Sequence, residues 1–564
     1  MRLINRIKMK FTSQITFLSF LLIGVCSFKT SNAQDTKETP AKTEPAKAVM
    51  AEEIEVVRPY KPVLANAAKI RRNPNLNDAP AFKPVLSYQI LDKKLELNTD
   101  IRTLQYQQLN LPPSPASDNN SFKAGLGSLN TSMGELYLNN GRDQALQTGF
   151  FAKHLAQKGE INKQEFSQQH LGAFLKSIGK HSSFNTKAGF RRLGTYFYGA
   201  DPLALNSTDP AAQSLSLMQF SADLGSNFTT QPKSLTYGLK LDANLFKNKT
   251  ASKENSILIS GMANKKWKDF DLGLNNSVDL TKVQDVNSSV NNNLLKINPS
   301  LNYQALGMRI NLGLNFVREA GLAERTSLFP SINAEFSLSP EYATLFAGLT
   351  GDVKKTSLTE FSFENPFLGQ DINIKNAKES NHVYAGIKGN AGSSLGYKAS
   401  VWFKRIQDLP LFVNMATDMT RFELSYAEGI SKLTGFDLEV NLKANEILDI
   451  NSRLQAIDYQ LENDAKAWFK PGLRIESQAI AKLSEKIQLR SGLVYQSETF
   501  GRNASAEAVR IKSFIDMNAG ADYRINKSWG AFLQVNNLLN QQYQQYLYYP
   551  QLGFNLFGGI HYSF

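Results

Sequence analysis

The chain has 564 residues, a formal net charge of +13 and a mean hydropathy of −0.31. This composition is too polar for a helical membrane protein, and beyond the first thirty residues no apolar run approaches the ~18 residues that a spanning helix needs. Any membrane span would therefore consist of β-strands. The chain is rich in Phe (35) and Tyr (20), and membrane barrels place such residues at both membrane interfaces. A large soluble β-protein with an aromatic core is the alternative.

The N-terminus has the three parts of a secretory signal peptide. Four basic residues lie within the first ten positions, residues 15–25 are apolar, and Ala33 ends a run of small residues. We predict that residues 1–33 are a signal peptide, cleaved after Ala33. A lipoprotein signal at Cys26 is the rival interpretation, although Val25 is a poor residue directly before a lipidated cysteine.

Cys26 is the only cysteine, so the predicted mature chain contains none. A disulfide, a thiolate metal site and a cysteine nucleophile are then excluded. Removing the leader takes away five basic residues and no acidic ones, which lowers the net charge from +13 to +8. This mild and scattered excess is compatible with anionic solutes or lipid phosphates, and we expect no nucleic-acid partner.

Residues 34–120 differ in composition from everything that follows. They hold 10 of the 20 prolines and none of the 36 glycines. The first part, to about Lys47, lacks the apolar residues that would offset the entropy cost of folding. We predict a disordered linker there, within a Pro-rich N-terminal segment that is separate from the barrel.

Two similar hexapeptides lie within this segment, starting at Tyr60 and at Phe82, 22 residues apart. Their prolines fix an extended backbone and remove an N–H donor, which suits edge or polyproline-type docking better than a central strand. We interpret them as docking repeats, with coincidence as the alternative. The residues that define the repeats are Tyr60, Lys61 and Pro62, and Phe82, Lys83 and Pro84.

From residue 121 to residue 564 the hydrophobic pattern has a period of two. In residues 308–317, apolar side chains from Met308 to Phe316 alternate with mostly polar or small ones. Such segments run to about 10 residues, the length of a tilted transmembrane strand, whereas strands of soluble proteins average about 5–6. Charged residues on the polar face indicate a wet lumen. The same alternation recurs in residues 235–245, 436–445, 487–496 and 515–524.

We therefore predict an all-β chain: a transmembrane antiparallel β-barrel of about 22 strands over residues 121–564, with the Pro-rich segment on its periplasmic side or in its lumen. A barrel of 16 to 18 strands with longer loops is the alternative. Short periplasmic turns are expected at residues 339–341 and 525–528. Longer external loops are expected near residues 199–212, 355–379 and 407–419.

The C-terminal thirty residues resemble a known family. Residues 535–543 read VNNLLNQQY and precede Pro550, Gly553 and a final alternating strand that ends at Phe564. This resembles the end of TonB-dependent outer-membrane receptors, in which an Asn-Leu-[Phe/Leu]-Asn-x-x-Tyr element leads into the last external loop and a final strand with a terminal aromatic. The resemblance implies solute uptake, contact with outer-membrane lipid, and recognition by the barrel assembly machinery. Its assembly signal would be Phe564, Tyr562 and Ile560.

The N-terminal segment departs from that family. The receptors carry a folded, glycine-containing plug domain longer than the 87 residues of the glycine-free segment 34–120. Residues 52–57 only faintly resemble the box that contacts a periplasmic energy-coupling protein. We therefore expect a plug-less or plug-reduced relative, to which energy-coupled uptake does not carry over. Since barrels of this size have a plugged lumen, the segment either fills the lumen or docks on a periplasmic or partner surface.

No enzymatic motif is apparent. The five histidines are far apart and none has a metal-ligand spacing, so we expect no catalytic, cofactor or metal site. Asp516, Asp522, Arg524 and His561 are candidate lumen-facing polar residues that could pair or meet a solute. Solute uptake or passage is the preferred function. The alternatives are a non-transporting barrel subunit whose 34–120 arm binds a partner such as a surface lipoprotein, and a surface hydrolase.

Overall fold

The computed structural model describes residues 120–140, 145–199, 209–226, 235–339, 342–463 and 466–564. The predicted signal peptide, the docking repeats and residues 52–57 lie outside these ranges and remain predictions. Within the described ranges, no helix has both the length and the apolarity needed to cross a membrane.

Twenty-two antiparallel strands form one sheet, and the last of them pairs with the first to close a barrel. This confirms the prediction of an all-β barrel of about 22 strands, and the alternative of 16 to 18 is wrong. The barrel strands are β1 (Ser121–Gly127), β2 (Thr131–Asn139), β3 (Leu146–Lys158), β4 (Glu165–Ile178), β5 (Ser182–Tyr196), β6 (Ala212–Ser226), β7 (Thr236–Asn248), β8 (Lys253–Trp267), β9 (Phe270–Gln284), β10 (Ser289–Ala305), β11 (Met308–Gly321), β12 (Thr326–Ser339), β13 (Ala343–Lys354), β14 (Ala377–Ala391), β15 (Leu395–Gln407), β18 (Ile430–Lys443), β19 (Leu448–Gln460), β20 (Leu473–Lys482), β21 (Ile487–Gln496), β24 (Phe514–Arg524), β25 (Trp529–Asn536) and β28 (Asn555–Ser563).

The remaining elements belong to loops between barrel strands. One is a short helix between β13 and β14, and the others are three two-stranded hairpins. They are α1 (Leu358–Glu364), β16 (Pro410–Met415) with β17 (Asp418–Tyr426), β22 (Thr499–Arg502) with β23 (Ala508–Ile511), and β26 (Gln544–Tyr546) with β27 (Tyr549–Pro550).

The period of two separates the two faces of the barrel wall. On β11 the apolar residues Met308, Leu312 and Leu314 are exposed on the outer face. The intervening Asn311 and Asn315 make hydrogen bonds on the opposite face. An exposed apolar belt of this kind cannot face water over so wide an area, and lipid is the solvent that suits it.

The two ends of the barrel differ in the length of their connections. Asn120 and Phe564 meet at one end through two backbone hydrogen bonds of 3.0 and 3.1 Å. The turns that the structure describes at this end are short, which makes it the periplasmic end, and the predicted turn at residues 525–528 is among them. The described parts of the three predicted external loops lie at the other end, together with further long loops at residues 461–472 and 497–513.

The barrel closes between β1 and β28, where glycines allow close approach of the strands. Gly125 and Gly559 are register partners, and a Cβ on Gly559 would lie 1.9 Å from the carbonyl oxygen of Ala124. Nearby, the ring of Tyr562 stacks on that of Phe564 with centroids 5.4 Å apart. The seam therefore combines a tight inner contact with an aromatic cluster at the chain terminus.

Candidate functional site: a loop cap at the barrel mouth

The inner wall changes from polar to apolar at its extracellular end. Along the inward face of β6, Asp223, Ser221 and Gln219 are followed towards the mouth by Leu217 and Leu215, which are buried. Inward apolar residues at the same end of neighbouring strands join them in one hydrophobic core. These are Leu193, Phe246 and Val283.

The partners of these wall residues come from the extracellular loops. We call the packed loop segments 197–199, 355–376, 408–429, 466–470, 499–511 and 543–550 the cap. Helix α1 contacts β6 and β8 although its own loop connects β13 to β14. The 355–376 loop therefore extends across part of the mouth instead of standing above its own strands.

Aromatic residues form the centre of the cap. Phe367 stacks on Tyr549 with centroids 3.7 Å apart, and Tyr198 meets Tyr549 edge-on at 5.0 Å. Phe422 contacts Phe469 at 5.6 Å and lies within 5.9 Å of Tyr549. Since each ring comes from a different loop, this centre joins five loops into one unit.

Hydrogen bonds connect the same loops. The Phe422 N–H donates to the Phe367 carbonyl at 3.0 Å, and the Gly369 N–H donates to the Phe422 carbonyl at 2.8 Å. The Tyr546 hydroxyl donates to the Glu364 carbonyl at 3.0 Å, and the Tyr549 hydroxyl donates to the carbonyl of Thr420. These bonds satisfy buried polar groups, which is a condition for a stable apolar core.

Glu254 of β8 anchors the start of α1 to the barrel wall. This buried carboxylate accepts from the Ser357 hydroxyl at 2.6 Å, the Leu358 N–H at 2.7 Å and the Thr359 hydroxyl at 2.8 Å. Ser357 also caps the helix by accepting from the Glu360 N–H at 3.3 Å. Bonds to an ionised acceptor are stronger than neutral ones, so Glu254 is a principal anchor of this loop.

A second anchor holds the other end of the 355–376 loop. Asn376 and Asn292 exchange side-chain hydrogen bonds of 2.7 and 2.9 Å, and Asn376 also donates to Glu319 at 3.1 Å. Glu319 is held by Arg325 at 2.6 Å, which in turn contacts Asp408 at 3.3 Å at the base of the next cap loop. The ion pair of Arg325 with Glu319 therefore connects the 355–376 loop to the 408–429 loop.

The tyrosines of the cap remain neutral donors. Burial raises the pKa of Tyr198 to about 12 and that of Tyr426 to about 12. Burial also raises the pKa of Tyr546 and of Tyr549. Their hydroxyls therefore keep their protons, and with them their bonds to backbone carbonyls, over the whole physiological pH range.

The lumen-facing candidates lie on one face of the wall but do not form a single group. Asp516, Asp522 and Arg524 share the face of β24 opposite the exposed Tyr523. Asp516 accepts from the Tyr543 hydroxyl at 3.2 Å, and Asp522 pairs with Arg490 at 2.5 Å. His561 is the register partner of Lys123 and Gly530.

The cap itself was missed by sequence reasoning. Two sequence patterns could have predicted the cap. Apolar residues break the alternation at strand ends, such as Leu215 and Leu217 on an otherwise polar face, and aromatic residues occur in long loops. Within the described residues no group of three or more His, Cys, Asp or Glu side chains could hold a metal ion.

No family model matches the chain, and no curated protein matches it either. Among solved structures, the pyoverdine outer membrane receptor FpvA from Pseudomonas aeruginosa PAO1, bound to pyoverdine, is similar with a TM-score of 0.62 at 12% identity, over 80% of this chain and 79% of that one. The FrpB iron transporter from Neisseria meningitidis gives 0.62 at 11% identity, over 80% and 82%. The ferric-catecholate import receptor Fiu from E. coli K12 in its closed form gives 0.60 at 10% identity, over 80% and 82%. The described part of the chain has the closed 22-stranded barrel fold of TonB-dependent outer-membrane receptors.

Proposed function

We propose that the protein is an outer-membrane barrel that mediates uptake or passage of a solute, with the cap as its extracellular gate. The observation that carries this proposal is the packing of several loops against the inner wall at one end of a polar lumen. A barrel of this size left open would be a wide hole. Loops that extend across the mouth close this hole, and their movement would open the passage when a solute binds.

The anchors of the cap support a gate rather than a permanent seal. The 355–376 loop is held by hydrogen bonds that it donates to Glu254 and Asn292 and by ring contacts such as Phe367 to Tyr549. Each is a non-covalent contact that a ligand could exchange for its own. The similar solved structures include an iron transporter and an import receptor, which favours uptake as the direction of traffic.

The N-terminal segment 34–120 is proposed as a second closure or as a docking arm. Its glycine-free, Pro-rich composition does not suit a folded plug. Docking of its two repeats inside the lumen would close the passage from the periplasmic side. Docking on a partner, including a periplasmic energy-coupling protein reached through residues 52–57, would instead make it an arm. A signal peptide over residues 1–33 would deliver the chain to the outer membrane.

A tethering experiment tests the gate. Gln370 in the cap donates to the Thr250 carbonyl in the β7–β8 turn at 3.1 Å. In the predicted mature chain, which has no cysteine, Thr250→Cys with Gln370→Cys provides a unique pair for a short bis-methanethiosulfonate reagent, which links the two thiols through reducible disulfides. We expect conductance in planar bilayers to rise when Tyr549→Ala loosens the cap, to fall when the tether is added, and to return on reduction.

The single-cysteine variants are the matched controls, because they react with the reagent without being tethered. Equal conductance in the tethered and untethered protein would reject the cap as a gate. Deleting residues 35–115 tests the lumenal version of the N-terminal segment, which an unchanged conductance would reject. A stable co-purifying partner together with a complete lack of conductance would favour the role of a non-transporting subunit.

A further inference from the structure

One row of cross-strand partners on the lumen face is rich in basic residues. Each member is the direct register partner of the next, over eight neighbouring strands from β24 through the barrel closure to β5. We call this set the basic row. Its members, in order, are Arg524, Gly530, His561, Lys123, Glu135, Lys153, His170 and Arg191.

The row faces the lumen. Phe122, Leu171, Tyr523 and Ile560, each adjacent in sequence to a member of the row, are exposed on the outer face. Because successive side chains of a strand point to opposite faces, their neighbours point inward. Directly opposite residues have Cβ atoms about 5 Å apart, so the row is a continuous line of side chains.

The row rises along the barrel. Arg524 ends β24 at the periplasmic end, whereas Arg191 is near the extracellular end of β5. Strands of a barrel are tilted, so a line of register partners spirals from one end towards the other. At its upper end the guanidinium of Arg191 lies 4.3 Å from the ring centroid of Phe363 in α1. The row thus leads from the periplasmic end to the underside of the cap.

Three cations of the row, Lys123, Lys153 and Arg191, lie over aromatic rings, and none of the three is in an ion pair within the described residues. Lys123 lies 3.9 Å from the ring centroid of Phe532, and Lys153 lies 5.2 Å from that of Tyr137. Within the described residues the ion pairs of the lumen wall involve other cations. Examples are Lys296 with Asp352 at 2.7 Å, Lys388 with Glu335 at 2.6 Å and Lys404 with Glu379 at 3.3 Å.

The row therefore carries an excess of positive charge, which is reduced by Glu135, the register partner of both Lys123 and Lys153. Lys123, Lys153, Arg191 and Arg524 are the lysine and arginine members, and Glu135 is the one carboxylate among the eight. Wall segments with an excess of cations are a structural basis of anion selectivity in pores.

We propose that the basic row binds small polyanionic solutes, with phosphate, sulfonate or carboxylate groups, and guides them between the cap and the periplasmic end. This inference rests on the proposed function and names its substrate class. Lys153 and Arg191 are two register steps apart, about 10 Å between their Cβ atoms, with His170 between them. Their long side chains allow one polyanion to contact both cations and to move along the row by exchanging one of them.

Equilibrium binding tests this site without requiring transport. The full mature chain, purified in a non-ionic detergent, would be titrated into the trisulfonated dye pyranine while fluorescence anisotropy is recorded, with inorganic pyrophosphate as competitor. We expect Lys153→Gln and Arg191→Gln each to weaken dye binding about tenfold, equivalent to about 1.4 kcal/mol. Rising salt should weaken binding to the unaltered protein.

Lys296→Gln and Lys388→Gln are the matched controls, because each removes a lumen cation that a carboxylate already neutralises. We expect their affinity to stay within about twofold of the unaltered protein, well short of the tenfold step. Equal affinity in the row variants, an equal loss in the controls, or no binding by the full chain would each overturn the inference. Conductance of the Tyr549→Ala variant, whose cap is loosened, separates the two proposals. Row-dependent binding without conductance in that variant rejects passage alone, and conductance without binding rejects the basic row alone.

Discussion

Phe367 and Tyr549 stack with ring centroids 3.7 Å apart and planes inclined by 21°, although they are 182 positions apart in the sequence. Phe367 belongs to the loop between β13 and β14, and Tyr549 to the loop between β25 and β28. The Tyr549 side chain is completely buried. This pair therefore joins two loops of the cap that no local interaction would bring together.

Removing the Tyr549 ring should open the cap. Tyr549→Ala deletes a buried aromatic ring, a change that costs about 3–5 kcal/mol in protein cores. We expect cap loops to become accessible to protease in the folded barrel, as measured by limited proteolysis. Tyr549→Phe keeps the ring and loses only the bond to Thr420, so its effect should be near 1 kcal/mol. Equal sensitivity of both variants would contradict the role of the stack.

Replacing the Glu254 carboxylate should release the start of α1. Glu254→Gln preserves the size of the side chain but loses the charge that accepts three hydrogen bonds. We expect a loss of about 1–3 kcal/mol in cap stability, seen as faster amide hydrogen exchange in residues 357–364. Glu335→Gln, on the lumen wall, is the control. Unchanged exchange in the Glu254 variant would show that the anchor is dispensable.

Closure of the cap should depend on pH through Glu360. Partial burial raises the pKa of this carboxyl, Glu254 and Glu364 add to the shift, and Lys355 opposes it. The closed cap therefore binds a proton more readily than the open cap, so this group favours closure at low pH. That contribution is lost as pH rises above about 4.3, the ordinary value for glutamate.

The variant Glu360→Gln isolates this contribution. We expect its cap to be more protected than the unaltered cap at neutral pH and equally protected at low pH, in hydrogen exchange or proteolysis measured across the range. Comparing the two proteins at each pH isolates the contribution of the Glu360 carboxyl. A constant difference at every pH would refute the assignment to Glu360.

The seam between β1 and β28 should not tolerate a side chain at Gly559. A Cβ there would meet the Ala124 carbonyl oxygen, whereas a Cβ at Gly134 of β2 would meet nothing within 4 Å. We expect Gly559→Val to destabilise the barrel by about 1–3 kcal/mol or more, and Gly134→Val to have little effect. Heat-dependent mobility in detergent gels measures barrel stability directly. Similar behaviour of the two variants would contradict the tight seam.

The terminal aromatic should matter for assembly. Phe564 stacks on Tyr562, which contacts Trp529 at 4.7 Å, at the periplasmic edge of the barrel. We expect Phe564→Ala to lower the amount of folded protein in the outer membrane by severalfold. Phe220→Ala removes an equally exposed outward ring far from the terminus. An equal loss in both would assign the effect to lipid contact and not to an assembly signal.

Much of the barrel could be predicted from the sequence, because each strand meets lipid on one face and water on the other. That environment imposes a period of two on every strand, as in Met308 to Phe316, and the segments could be counted to about 22. The terminal strand and the short turn at residues 525–528 could also be predicted, because their sequence patterns are local. The external loops at residues 461–472 and 497–513 were not anticipated, since loop sequences carry no such period.

By itself, the sequence determined an all-β barrel with alternating faces and an aromatic end. Only the tertiary structure decided which loops close the mouth and which cations align in the lumen. Tyr198 bonds to the Pro550 carbonyl across 352 positions, and Lys123 is opposite His561 across the closure. Such pairs follow from strand register and barrel closure, which bring together residues that are distant along the chain and whose proximity no local pattern encodes.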